Sequence, residues 1–228
     1  MTLQLEPEMR DVIAVHAFFA AIAASVLLVP VGAAVGWKML ALVCIYNALI
    51  PIVGLIRGHY EWINIWSFVF LLSVLQVFPD WVLSEQLGVL VFPVDGSPMI
   101  GPVPLYMAGL WTIPLFAIIY SGARVEEKYG YLRAQAFVVS ISVLIFGIAE
   151  ETMWMLPSWA AQNVSMIGHV AVYIIIPELV LGSAAFFIYS IIRFGGHWRK
   201  VFWAFHIMVL YLGEAVFFYF VIERILLG

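Results

Sequence analysis

Residues 131–156 read YLRAQAFVVSISVLIFGIAEETMWML. Apolar residues dominate this stretch, and two adjacent carboxylates, Glu150 and Glu151, stand near its end. A run of about 20 mostly apolar residues is what a helix needs to cross a bilayer. An ionisable side chain inside such a helix is costly and usually faces the bundle interior or a hydrated cavity. The stretch therefore predicts a membrane-spanning helix that carries a functional acid.

The composition extends this prediction to the whole chain. Of its 228 residues, 65% are hydrophobic and only 11% are charged, whereas soluble globular domains carry about 25% charged residues. Too few polar residues are left to cover a soluble domain, so we expect lipid to cover most of the surface. The net charge of −4 and the lack of a basic run argue against nucleic acid as a partner. Cys44 is the only cysteine, which excludes an intrachain disulfide and a cysteine-based metal cluster.

Seven stretches are long and apolar enough to be spans, and short connections join them into a single domain over residues 1–228. The predicted fold is an all-α integral membrane bundle of seven transmembrane helices, in a bacterial inner membrane or a eukaryotic endomembrane. Residues 80–102 form the longest connection, on the outer side. It is either a short hairpin or partly inserted segment that caps one mouth of the bundle, or an interfacial loop. The spans are expected near 11–29, 34–56, 61–79, 103–121, 131–156, 166–193 and 199–225.

Lysine and arginine are distributed unequally between the two sides of this bundle. Short cytoplasmic connections carry an excess of these residues, which predicts a cytoplasmic N-terminus and an outer C-terminus. The opposite side holds only Lys38 and Arg224. The basic residues on the predicted cytoplasmic side are Arg10, Arg57, Arg124, Lys128, Arg133, Arg193, Arg199 and Lys200.

Two later spans contain acids as well, Glu178 and Glu214. At a rise of about 1.5 Å per residue, Glu178 lies near mid-membrane and Glu214 at or beyond the middle, while the paired acids lie in the outer third. Since adjacent helical residues point about 100° apart, Glu150 and Glu151 cannot both face one spot. The sequence predicts that one of them meets Glu178 and Glu214 in a three-helix carboxyl cluster.

These acids suggest acid–base chemistry, because burial favours the neutral form of a carboxyl and so makes it a proton donor. In this hypothesis Glu150 or Glu151 shares the acid and base roles with Glu214. The structural alternative for each acid is a neutral carboxyl that ties two helices together by hydrogen bonds. The residues expected to orient or tune the catalytic pair are Glu178, Asp80 and His169.

Aromatic residues make up 16% of the chain, and those inside spans either face lipid or line a cavity. An aromatic wall suits a hydrocarbon substrate, and its π faces can stabilise a carbocation. Trp159 is instead expected in an interfacial belt. The candidate substrate-binding residues are Trp154, Tyr173, Tyr211, Phe218 and Trp111.

The segment Ala149-Glu150-Glu151 and the pair Pro177-Glu178 resemble the Pro-x-Glu-Glu segment of membrane lycopene cyclases. Buried acids on a seven-span bundle of this size also resemble the small integral-membrane terpene cyclases of meroterpenoid and indole-terpenoid pathways. The resemblance implies protonation of an epoxide or alkene and a metal-independent cyclisation. The expected partners are then a lipophilic, isoprenoid-like small molecule and membrane lipid.

Other functions remain open from the sequence. The same acids could form the relay of a proton-coupled transporter, or the chain could be a structural or assembly subunit. Glu150-Glu151 followed by Phe202-x-x-x-His206 also resembles two signatures of intramembrane glutamate proteases. No His-Glu-x-x-His or Glu-x-x-His pattern is present, so we expect no metal site and no cofactor. The oligomeric state is not predicted.

Overall fold

The computed structural model describes residues 6–29 and 32–227, and most of them are helical. Seven helices are long and apolar enough to cross a membrane, which confirms the prediction of a helical multi-pass membrane protein. They are Pro7–Leu28, Val35–Arg57, Tyr60–Gln86, Met107–Tyr129, Tyr131–Met155, Val172–Ile192 and His197–Leu226.

The fourth span is interrupted at Trp111, so the seven spans contain eight α-helical segments in the described part of the chain. A π-helical turn follows α3 and another follows α8, while a 3-10 turn follows α6 and another precedes α7. The segments are α1 (Pro7–Leu28), α2 (Val35–Arg57), α3 (Tyr60–Trp81), α4 (Met107–Leu110), α5 (Thr112–Tyr129), α6 (Tyr131–Thr152), α7 (Ile175–Ile192) and α8 (His197–Tyr219).

Three short antiparallel ladders lie at the end of the bundle where α3 and α6 finish and α7 begins. Two of them are local hairpins, β2–β3 and β5–β6, and the third joins β1 to β4 across two separate connections. We call this the hairpin end. The strands are β1 (Leu90–Val91), β2 (Met99–Ile100), β3 (Val103–Pro104), β4 (Ala160–Ala161), β5 (Met166–Ile167) and β6 (Val170–Ala171).

The third span is longer than predicted, because the helix continues past Pro79 to Gln86. Proline removes only its own N–H from the ladder, and the Val82 N–H still bonds to the Phe78 carbonyl. As a consequence Asp80 lies in a helix, not in the outer connection. Residues 80–102 therefore contain the end of this helix as well as β1 and β2.

The fourth and sixth spans begin later than predicted, because short strands occupy the first residues of both predicted ranges. Residues 103–104 form β3, and the fourth span runs from Met107 to Tyr129. Residues 166–171 form the β5–β6 hairpin, whose turn contains Gly168 at a φ of 63°. Glycine adopts this left-handed conformation without a steric penalty, so the chain can reverse there before the sixth span begins.

Small residues allow a close helix contact in the core, between α6 and α7. A Cβ added to Gly182 would stand only 2.1 Å from the Ser142 hydroxyl oxygen, which is too close for any side chain. By contrast, α1 packs mainly against α2, and its buried residues are Val12 and Val15. The bundle is therefore tight around α3, α5, α6, α7 and α8 and looser at α1.

The end opposite the hairpins carries a group of ion pairs, and we call it the basic end. It gathers arginines from three connections that the sequence predicted to share one side. The His59 ring also lies 2.9 Å from a carboxylate oxygen of Asp11. The ion pairs are Arg57 with Asp11, Arg124 with Glu61 and Glu127, and Arg193 with Glu126.

Candidate functional site

An interior cavity of about 390 Å³ lies in the half of the bundle near the hairpin end. Ligand pockets in proteins usually measure about 300–1,000 Å³. Its sides are lined by helices α1, α2, α3, α5, α6, α7 and α8. Residues around β1, β4 and β6 cover it at the hairpin end. Most of the lining is aliphatic or aromatic. Representative lining residues are Phe19, Leu42, Val43, Leu83, Ile113, Ile145 and Phe146.

Three carboxyl groups from three helices reach this cavity: Asp80 of α3, Glu150 of α6 and Glu178 of α7. Asp80 is only 2% exposed and Glu178 only 5%. No lysine or arginine is among the described residues that line the cavity. The acids therefore have no cation inside the cavity to balance a negative charge.

Two indole N–H groups donate hydrogen bonds to these carboxyls. The Trp111 Nε1–H donates to Asp80 Oδ2 over 3.4 Å, and the Trp159 Nε1–H donates to Glu150 Oε1 over 2.9 Å. Within the described part of the chain, Glu178 accepts no such bond. Asp80 and Glu150 are thus held as hydrogen-bond acceptors, whereas the Glu178 carboxyl lines the cavity without a donor among the described residues.

Aromatic rings form one wall beside the acids. Trp111 packs against Phe146 at 5.6 Å and against Tyr211 at 5.8 Å between ring centroids. Tyr173 and Tyr211 also line the cavity and are almost fully buried. Of the candidate substrate-binding residues, the structure therefore brings Trp111, Tyr173 and Tyr211 together at the cavity.

The structure separates the two paired acids. Glu150 lines the cavity, whereas Glu151 lies on the exposed surface, as the angle of about 100° between adjacent helical residues requires. Glu151 Oε2 accepts a bond from the His169 backbone N–H over 2.7 Å, and Oε1 lies 3.1 Å from His169 Nδ1. Trp154 stacks on the His169 ring at 4.3 Å. These three predicted site residues fasten the β5–β6 hairpin to the end of α6 and do not line the cavity.

Glu214 and Phe218 are also not among the cavity-lining residues. Glu214 follows Tyr211 by three residues, which turns it about 60° around α8 and away from the cavity face. Its Oε2 is buried without a hydrogen-bond partner among the described residues. Phe218 lies two helical turns beyond Tyr211 and packs against the core. The expected cluster of Glu150, Glu178 and Glu214 is thus replaced by Asp80, Glu150 and Glu178.

Among the lining residues that carry an N–H or other polar hydrogen-bonding group, sequence reasoning missed Trp159 and His16. Trp159 was expected in an interfacial belt, but the chain folds back after α6 and directs its indole at Glu150. His16 lines the cavity on the side of the basic end, where its Nδ1 lies 2.8 Å from the Val12 carbonyl oxygen and its Nε2 lies 3.1 Å from the Tyr46 hydroxyl. Neither residue follows a helical pattern with the acids, so no periodicity could have linked them.

The covering segment is held in place by buried polar contacts. The Tyr106 hydroxyl donates to the Ser158 carbonyl oxygen over 3.2 Å, which ties the connection after α3 to the connection after α6. Burial and the nearby Asp95 carboxylate raise the pKa of the Tyr106 hydroxyl, so this group remains a donor. The cover is therefore anchored next to Trp159, the partner of Glu150.

Residues 77–222 match a protein family described as Domain of unknown function (DUF6989), which is more than half of the 228 residues. The chain belongs to the DUF6989 family. The matched segment includes Asp80, Glu150 and Glu178 together with Trp111 and Trp159. It leaves out α1 and α2, which complete the opposite side of the cavity. Comparisons with curated proteins and with solved structures found no match.

Proposed function

We propose that the protein is an integral-membrane enzyme that acts on a lipophilic, isoprenoid-like substrate by acid–base catalysis with carboxyl groups. The single observation that carries this proposal is the meeting of Asp80, Glu150 and Glu178 in one apolar cavity. Cyclisation or isomerisation is the expected reaction, as in the terpene cyclases that the sequence resembles. The proposal needs no metal and no cofactor.

The acids are difficult to explain by stability alone. Burial of a carboxyl away from water is unfavourable unless the group is paired or hydrogen-bonded. Glu178 accepts no hydrogen bond from the described residues, and the described lining offers no cation to any of the three acids. A group retained in such surroundings is a candidate for chemistry.

The hydrogen bonds suggest how the roles are divided. An N–H donor stabilises a carboxyl as an acceptor, so Asp80 and Glu150 suit the role of proton acceptor. Glu178 would then deliver the proton to the substrate. In the proposed reaction the proton adds to an epoxide oxygen or an alkene carbon, and the resulting cation is quenched when Glu150 or Asp80 removes a proton from carbon. The rings of Trp111 and Tyr211 would stabilise the intermediate cation.

The charge of the cavity also limits the substrate. Three acids without a neighbouring lysine or arginine would repel a phosphate or diphosphate group. The substrate we propose therefore carries an uncharged polar group, and its hydrocarbon part fills the apolar remainder of the cavity. A proton-coupled transporter, the alternative from the sequence, would need a polar route to both membrane faces. Toward the basic end the lining continues to Phe19 and His16. Both ring nitrogens of His16 are already within hydrogen-bonding distance of a partner. The transporter alternative therefore has less support.

For the orientation we propose a cytoplasmic N-terminus, with the basic end in the cytoplasm and the hairpin end outside. The support is the concentration of Arg57, Arg124 and Arg193 at one end of the bundle. A bacterial inner membrane or a eukaryotic endomembrane remains the proposed location.

The proposed activity can be tested by profiling lipid extracts of cells that express the protein together with pathways for isoprenoid precursors. Wild type is compared with Glu178→Gln, Glu150→Gln and Asp80→Asn, which keep the shape of each side chain and remove its proton chemistry. We expect a product that depends on the wild-type protein and is lost in all three variants.

The matched controls are Glu151→Gln and Glu214→Gln, since these acids lie in neighbouring positions but do not line the cavity. Both controls should keep the product. Lipid profiles that are identical for wild type and all five variants, at equal amounts of folded protein, would refute the enzyme proposal.

A further inference from the structure

The cavity wall is not equally closed on all sides. Lining residues from α2, α7 and α8 are buried, with Val43 and Glu178 each 5% exposed and Tyr211 2% exposed. Apart from Phe146 of α6, which is 3% exposed, the lining residues from α1, α5 and α6 are only half-buried. These half-buried residues are Phe19 and Ala23 of α1, Ile113, Pro114 and Ala117 of α5, and Ile145 and Ala149 of α6.

The packing of the helices explains this asymmetry. Helix α6 packs against α5 and α7, whereas α1 packs mainly against α2. The buried residues of α1, Val12 and Val15, both lie in its half near the basic end. The other half of α1 thus stands apart from α6, with α5 behind them. We call the gap bounded by Phe19, Ala23, Ala117, Ile145 and Ala149 the side cleft.

The side cleft is closed both toward the hairpin end and toward the basic end. Near the hairpin end, Leu27, Leu156 and Trp159 all pack against one buried apolar cluster that includes Met39 and Phe92. Toward the basic end, the His16 ring stacks on Phe116 at 5.9 Å. The cleft is therefore a window in the side of the bundle, and not a continuation of the hairpin end.

We infer that the side cleft is a lateral opening to the bilayer, through which the hydrocarbon chain of a membrane lipid enters the cavity. This inference rests on the proposed function and specifies how its substrate arrives. The outward faces that flank the cleft are exposed and apolar, with Ala20 on α1 and Leu144 and Ile148 on α6. Acyl chains rather than water would cover these faces, so an apolar chain could pass into the cavity without crossing water.

The position of the cleft also selects one leaflet. At about 1.5 Å per residue, a helix of 22 residues is about 33 Å long, and Ala23 lies about 24 Å from the start of α1 at the basic end. The cleft therefore opens into the membrane half near the hairpin end. Glu150 follows Ala149 directly, so a lipid that enters here meets a carboxyl as soon as its polar group passes the rim.

Site-directed spin labelling of the purified protein in phosphatidylcholine vesicles tests this opening without any substrate. Cys44, which is exposed, is first replaced by Ala to leave a cysteine-free background. Single cysteines are then placed at Ala117 on the floor of the cleft and at Ala23 on its rim. Ala20→Cys supplies a reference in contact with lipid, and Val94→Cys, at a fully exposed position of the hairpin end, supplies a reference in contact with water.

The readout is the collision rate of each label with oxygen, which concentrates in hydrocarbon, and with a water-soluble nickel chelate. We expect the labels at Ala117 and Ala23 to match the oxygen accessibility at Ala20 within about twofold, because apolar solutes and acyl chains share the same environment. Their accessibility to the nickel chelate should stay far below that at Val94.

Two results would overturn the inference: nickel accessibility at both cleft positions equal to that at Val94, which would mean a water-filled route, or low accessibility to both reagents, which would mean a closed wall. Ala23 lies on the loosely packed helix, so its label keeps the test valid if the Ala117 variant does not fold. The measurement does not depend on catalysis, so a positive result with no activity would refute the enzyme proposal alone.

Discussion

At the scale of single residues, the indole donors give the three carboxyls different surroundings. Trp159→Phe keeps an aromatic ring beside Glu150 but removes the N–H that donates to it over 2.9 Å. A hydrogen bond to a charged group contributes about 1.5–3 kcal/mol, so we expect at least roughly a tenfold loss of product formation. The measurement is product yield in lipid extracts at equal amounts of folded protein.

Trp198→Phe is the control for this change, because Trp198 is 85% exposed and far from the cavity. It should leave product formation unchanged. If Trp159→Phe is as active as Trp198→Phe, the indole does not position Glu150, and the division of roles between the acids is wrong.

The contact of Gly182 with Ser142 is a second residue-scale feature that can be tested. Gly182→Ala would place a methyl group 2.1 Å from the Ser142 hydroxyl oxygen, so α6 and α7 must move apart. We expect a loss of about 1–3 kcal/mol of stability, as for other overpacked cores. Thermal unfolding in detergent measures the effect.

Gly147→Ala is the matched control on α6, since a Cβ there meets nothing within 4 Å. Alanine favours a helix over glycine by up to about 1 kcal/mol, so this variant should be as stable as wild type or more stable. Equal unfolding temperatures for Gly182→Ala and wild type would contradict the proposed close contact.

At the scale of elements, two carboxylates fasten the β5–β6 hairpin. Glu151 binds its turn through His169, and Glu223 Oε1 and Oε2 accept bonds from the Ser165 N–H and hydroxyl, each over 3.0 Å. The hairpin pairs only within itself by two residues on each side, so these contacts should decide its rigidity. In Glu151→Ala we expect faster hydrogen exchange over residues 165–171 and unchanged exchange in α3 and α7.

Glu85→Ala is the comparison for this prediction, because Glu85 is exposed at the same end of the bundle. It should not change exchange in the hairpin. An equal exchange pattern for both variants would mean that the contacts of Glu151 with His169 do not hold the hairpin.

The elements also show what could be predicted from the sequence. Apolar length alone predicted seven spans, because the bilayer imposes that length whatever the helices pack against. The end of α3 was missed, since Pro79 suggested a stop and the helix continues to Gln86. A short hairpin was one of the alternatives for residues 80–102, but the β5–β6 hairpin and the β1–β4 ladder were not predicted, since strands of two residues leave no alternating pattern to detect.

The site was predictable only in part, for a related reason. The sequence identifies which acids lie in apolar surroundings and at what depth. This was enough to include Glu150 and Glu178 among the candidates, but not to choose between Glu150 and Glu151. It does not fix how each helix is rotated in the bundle. Glu214 was therefore included in the expected cluster although it turns away from the cavity. Asp80 was expected only to tune or orient the catalytic pair, although its side chain lines the cavity.

At the scale of the whole molecule, the two ends of the bundle differ in chemistry, and this difference predicts its orientation. Ion pairs of Arg57, Arg124 and Arg193 gather at the basic end, whereas the described basic residues near the hairpin end are Lys38 and Arg224. From the positive-inside rule we predict that the hairpin end, and with it the side cleft, lies in the outer half of the membrane.

Cysteine labelling in intact bacterial cells tests this orientation. In the Cys44→Ala background, Val94→Cys marks the hairpin end and His197→Cys the basic end, both at exposed positions. A membrane-impermeant maleimide should label the cysteine at Val94 in intact cells and the one at His197 only after the membrane is permeabilised. The background protein without cysteine controls for non-specific labelling. The reverse pattern would place the basic end outside, and the lipid that enters the side cleft would then come from the cytoplasmic leaflet.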